Sequence, residues 1–152
     1  MTPLDDIDRR ILTILQKHGR ISNAELASRA NTSASSCHRR MQRLEAEGVI
    51  RAYAAMLDPN KVDRPVTAFV EITLTGQADE VLESFERDVR LAEDVLECHL
   101  MAGRADYMLK VVARDNEHFA QIHRRLARLS GVAQMQTSFA LRTVFKTTAL
   151  PV

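Results

Sequence analysis

Between positions 33 and 43 the chain sets Ser36, Arg39, Arg40 and Arg43 at helical spacing from one another. Arginine's planar fork matches guanine O6 and N7, and phosphate oxygens, in a bidentate manner. Ser35 and Ser36 follow Ser33 at the start of the same run, where unpaired backbone N–H groups favour a phosphate. His38 stands at the flank. The chemistry on offer is the reading of double-stranded DNA, set against the plainer meaning of such a run, a solvated basic face.

A second candidate is Gly103-Arg104-Ala105-Asp106-Tyr107. Glycine lets a ligand approach the backbone, and the acid beside it can hold an ammonium group. Taken by themselves, these residues favour a hairpin turn with Asp106 as a turn residue. Cys98 and His99 offer a nucleophile and a base, but adjacent strand residues point to opposite faces and make no dyad. Cys37 falls on an apolar stripe and reads as a packed thiol. His118 and His123, the closest histidine pair, are five apart and miss the same-face spacing of a helical metal site. No enzyme, metal or cofactor is expected.

The elements that would position these groups come in two kinds. Leu4, Ile7, Ile11 and Leu15 form the stripe of an amphipathic helix that Gly19 stops. Ser22 caps a second helix, with Glu25 completing a capping-box pattern. That helix buries Leu26, Ala27 and Ala30 and ends at Asn31, a residue tolerant of positive φ. A third follows Ser33, with Cys37, Met41 and Leu44 inward, and closes at Gly48. So short a break between the second and third helices predicts a helix-turn-helix.

From Val49 the apolar period falls to two. Val49 to Leu57 reads as a strand ended by Asp58-Pro59-Asn60, and residues 61–65 as a linker. Beyond it come a strand at 66–74, a helix carrying Val81, Leu82, Phe85 and Val89, and strands at 95–101 and 107–113. A helix capped by Asn116 and a strand at 132–140 complete the order β-α-β-β-α-β, the ferredoxin-like arrangement. Both helices then lie on one face of an antiparallel sheet. Phe69, Val112 and Met135 are read as facing the other side, where a second copy's sheet is the simplest cover. The fold class is α+β: a helix-turn-helix domain with its linking strand at 1–60 and a βαββαβ domain at 61–152.

Length allows one domain or two small ones, and composition is that of an ordinary globular chain. Of 152 residues, 45% are hydrophobic and 27% charged, with no run near membrane length. The first ten residues hold no apolar run of a secretory signal. Two cysteines are too few for a disulfide scaffold, and a reducing cytoplasm is expected. Net charge is only +1, but residues 1–60 hold nine Lys/Arg against seven Asp/Glu, a local basic excess.

The assembled pattern resembles the leucine-responsive regulatory (Lrp/AsnC, feast/famine) family. The matching residues include Leu4-Asp5 to Leu15, Gly19 to Asn23 with Glu25-Leu26-Ala27, Ser33 to Leu44 with Arg39-Arg40, and Glu47 to Ile50. Further on they include Glu97-Cys98-His99, Gly103 with Asp106-Tyr107, Gly131-Val132, Thr137-Ser138-Phe139 and Thr148 to Pro151. The resemblance implies a winged reader with its recognition helix in Ser33 to Gln42. The DNA-contacting set is then Asn23, Ser33, Ser35, Ser36, His38, Arg39, Arg40 and Arg43. It implies dimers assembling to tetramers or octamers, and an effector, commonly an amino acid, held between dimers. The effector set is Met101, Ala102, Gly103, Arg104, Asp106, Tyr107, Thr137 and Ser138. Ala102 stands where the family often has a hydroxyl, and Ser36 and His38 where it often has Pro and Leu. The alternative is an architectural DNA compactor with no small-molecule effector.

Overall fold

The computed structural model describes residues 3–152, so the first two residues of the expected reader lie outside it. The chain forms two compact units, one of residues up to Met56 with Phe145–Val152, the other Leu57–Val144.

The first unit is three helices: α1 (Asp6–Leu15), α2 (Asn23–Ala30) and α3 (Ala34–Ala46). Asp5 caps α1, its carboxylate accepting from the N–H groups of Ile7 and Asp8, while Asp8 reaches back to the Asp5 N–H. This reciprocal capping box lies at α1. At α2 only half of the expected box forms: Ser22 Oγ accepts from Glu25 N, and the Glu25 carboxylate pairs with Arg29 at 2.5 Å. Asn31 ends α2 in the left-handed region (φ 58°, ψ 53°), and Ser33 caps α3 by accepting from Ser36 N. The core is Ile11, Leu12, Leu26, Ala27, Ala30, Cys37 and Leu44, with Met41 half-buried against it.

Residues 49–57 form no strand, contrary to the sequence expectation, and residues 51–57 are exposed. An extended segment becomes a strand only with a neighbour to complete its hydrogen bonds. Residues Phe145–Val152 lie with the helices in the first unit. The Gln16 side-chain amide donates to Leu150 O at 3.0 Å and accepts from Leu150 N at 2.6 Å, as a paired strand residue would.

The second unit runs β1 (Val66–Leu74), α4 (Asp79–Val89), β2 (Val95–Leu100), β3 (Tyr107–Ala113), α5 (Asn116–Leu126) and β4 (Val132–Phe139), in an antiparallel sheet of order β2-β3-β1-β4. This is the ferredoxin-like βαββαβ fold. Even-numbered residues of β1 from Ala68 onward and odd-numbered residues of β3 are buried with Phe85, Val89, Phe119, Ile122 and Leu126 of the two helices. Asp115, not Asn116, caps α5 by accepting from His118 N. Phe69 and Val112 do lie on the opposite, open face, but Met135 does not. It pairs opposite Ile72 and packs against the helix-side core.

Gly131 supplies the sharp entry to β4. Its φ is +78°, and a Cβ there would come within 2.9 Å of Val81 Cγ1. Gly131→Ala is therefore expected to cost about 1–3 kcal/mol through backbone strain and overpacking, read as a lower unfolding midpoint of the sheet unit. An unchanged midpoint would show that β4 can shift to absorb the methyl.

Candidate functional site

In the reader unit, α3 is fixed by charge as well as by packing. Arg40 Nη1 donates to both Asp5 oxygens, at 2.9 and 2.7 Å, and to Asp8 Oδ1 at 2.8 Å. Arg43 Nη2 donates to Asp8 Oδ2 at 2.5 Å. The Asp8 side chain has no exposed area, while Arg40 and Arg43 retain 20% and 32%. The N–H of Asp8 and the Arg40 guanidinium hold the Asp5 carboxyl down at about 2, and the same pairing raises Arg40. A buried carboxylate between two arginines orients both.

The expected DNA-contacting residues therefore separate. Ser35, His38 and Arg39 are exposed on α3, together with Gln42, which the sequence reading did not single out. Ser33 and Ser36 make the cap, with Ser35 Oγ 3.3 Å from Ser33 Oγ. Asn23 Nδ2 donates to Ala34 O at 2.9 Å and ties the starts of α2 and α3 together. Arg40 and Arg43 point toward α1 and its acids, away from the arc on which the sequence reading placed them with Arg39.

In the sheet unit the expected effector residues also part. The Met101 N–H donates to Asp106 O at 2.8 Å and closes the β2–β3 connection, which holds Ala102 and Gly103. The Asp106 carboxylate accepts from Leu74 N at 2.7 Å and from Gln77 Nε2 at 2.9 Å. It caps the end of β1, as a turn residue would, and both its oxygens are engaged. Tyr107 is buried against Phe85, its hydroxyl donating to Glu86 at 2.7 Å, and burial first, then Glu86, raises its pKa. Thr137 and Ser138 pair with Val70 and Phe69 and so face opposite sides of the sheet.

Arg104, of that set, reaches a cavity. It donates to Gln136 Oε1 at 2.6 Å and lies 3.3 Å from Glu71 Oε2. With Thr73, Ala105 and Gln134 these residues line a space of about 260 Å³ on the open face. Glu71, Thr73, Gln134 and Gln136 went unnoticed in the sequence because polar residues alternating along a strand ordinarily mean a solvated face. Their convergence depends on β1 pairing with β4, with Glu71 opposite Gln136 and Thr73 opposite Gln134. Cys98 pairs opposite Leu109 and His99 opposite Met108, on opposite sides of the sheet, so no dyad forms. Burial first, then Glu86, raises the Cys98 thiol.

A helix-turn-helix with an exposed α3 face, followed by a sheet domain with a small polar cavity, defines the class of ligand-responsive transcriptional regulators. The comparisons give the family. Residues 4–51 match the winged helix-turn-helix DNA-binding model, and residues 67–150 the Lrp/AsnC ligand binding domain. The leucine-responsive regulatory protein of Escherichia coli K12 is 42% identical over 142 residues, covering 93% of this chain and 87% of that protein. A transcriptional regulator from Neisseria meningitidis, solved as an L-Met complex, superposes with TM-score 0.93 at 37% identity over 98% of this chain and 97% of that one. An AsnC family transcriptional regulator from Agrobacterium tumefaciens gives 0.94 at 36%, over 97% of each chain. This chain belongs to the Lrp/AsnC family of transcriptional regulators: it is a DNA-binding regulator with a ligand-binding domain, and not an enzyme.

Proposed function

We propose that the chain is a sequence-specific cytoplasmic regulator whose reader presents α3 to the major groove and whose assembly answers to a small amino acid seated at Arg104 and Glu71. The observation that carries the effector half is the charge pair at the cavity. Opposite charges 3.3 Å apart suit the carboxylate and ammonium of one zwitterion. The L-Met complex of the Neisseria relative supports an amino acid as the ligand class. No helix among the described residues is long and apolar enough to cross a membrane.

Assembly enters through the same sheet face. Phe69 is 40% exposed there, with Val112 half-buried beside it, while the cavity occupies the half of the face toward Glu71 and Thr73. Two copies meeting on the apolar half form a dimer and bring the cavity to its seam. A ligand that prefers one assembly then shifts its population, and the tetramers or octamers into which such dimers assemble set the spacing of the readers on DNA. The expected test result is that Arg104→Ala loses most of the amino-acid effect on operator affinity, a coupling of about 1–3 kcal/mol, while operator binding without ligand persists. A full response in Arg104→Ala would place the effector elsewhere.

A further inference from the structure

The ion pairs that hold α3 also decide which of its residues remain available to read bases. At ~100° per residue, Ser35, His38, Arg39 and Gln42 fall within ~100° of arc, with Gln42 near its middle. All four are exposed, whereas Cys37 and Leu44 on the opposite side are buried and Met41 is half-buried. Arg43 lies ~40° beyond Arg39 and ~100° from Gln42, and it and Arg40 are held by Asp8 and Asp5. The face open to a partner is thus rotated away from the Ser36, Arg40 and Arg43 side that the basic run suggests.

We propose that Gln42 is a specificity-determining residue of this reader, taking an adenine edge beside Arg39, and that Arg40 and Arg43 act as positioning residues. The inference rests on the DNA-reading proposal. Ser35 to Gln42 spans ~10 Å along the helix axis, about three base-pair steps of ~3.4 Å, so the arc addresses a short run of base pairs. A glutamine amide presents one donor and one acceptor, the complement of adenine N7 and N6, as the Arg39 fork complements guanine O6 and N7. The Gln42 side chain makes no hydrogen bond within the described residues, so its amide is available to a base.

The test is selection of binding sites from a randomised DNA duplex by the full-length chain and by Gln42→Ala and Gln42→Glu. The wild type is expected to select an adenine at one position of each half-site. Gln42→Ala is expected to relax that position, with a ~5–150-fold loss on the wild-type site, and Gln42→Glu to turn it toward cytosine, whose N4 amine donates to a carboxylate. A purely structural role for Gln42 would weaken binding without changing the selected base. Identical selected sites from all three proteins would overturn the inference and leave DNA reading intact. No selected site from the wild type would overturn the DNA-reading proposal itself.

Discussion

Asp8→Ala is expected to cost the reader unit about 1.5–3 kcal/mol, because it removes the charge-assisted hydrogen bonds of two guanidinium groups, of which Arg40 keeps Asp5. The loss is read as faster hydrogen exchange of the α1 and α3 backbone amides. Asp8→Asn keeps an acceptor and the shape, and should lose less. The effect on DNA binding has a distinguishing sign. If Asp8 acted only through long-range charge, removing an acid would strengthen binding to a polyanion. If it acts by holding α3, operator affinity falls although the protein has become more positive. Unchanged exchange together with tighter DNA binding would contradict the clamp.

Arg39→Ala carries the second large effect. Arg39 is exposed on α3 and its side chain makes no ion pair or hydrogen bond within the described residues, so its fork is open to a base. Its loss is expected to lower operator affinity by about 1–3 kcal/mol, a ~5–150-fold change, and to relax a guanine preference at one position. Thermal stability should stay within ~0.5 kcal/mol, since an exposed side chain without partners contributes little to the fold. Retained affinity and base preference would remove Arg39 from the reading face.

The contrast between Arg39 and Arg40 shows where the sequence is readable. Helix caps at Ser22, Asn31 and Ser33 are local, involving groups within three or four residues, and sequence spacing locates them. The partners of Arg40 and Arg43 lie 32 to 35 residues away on another helix. Nothing in a helical run of arginines tells a reading face from a clamped one. The same limit inverted Met135. The stretch from Val132 to Phe139 has apolar residues at 132, 133, 135 and 139, with Val132 out of phase with the other three. Its phase is fixed by pairing with β1, where the register shifts between Thr73 and Leu74.

The candidate effector site divides along similar lines. The sequence located the β2–β3 connection and Arg104 within it, and read Asp106 both as a ligand anchor and as a turn residue. The turn role is the one its hydrogen bonds to Leu74 and Gln77 occupy. Glu71 and Gln136 became site residues only when the sheet order set β4 beside β1. A polar i, i+2 pair on each of two strands, Glu71 with Thr73 and Gln134 with Gln136, is the signal that could have found them.

The coupling of a small ligand to DNA reading is tested most directly by fluorescence anisotropy of a labelled operator, selected from random duplexes, titrated with the full-length protein. Each of the twenty amino acids is added in turn at millimolar concentration. The account predicts that at least one shifts the operator Kd by ~5–150-fold, and that DNA shifts the affinity for that amino acid by the same factor. An operator Kd unchanged by all twenty would contradict it.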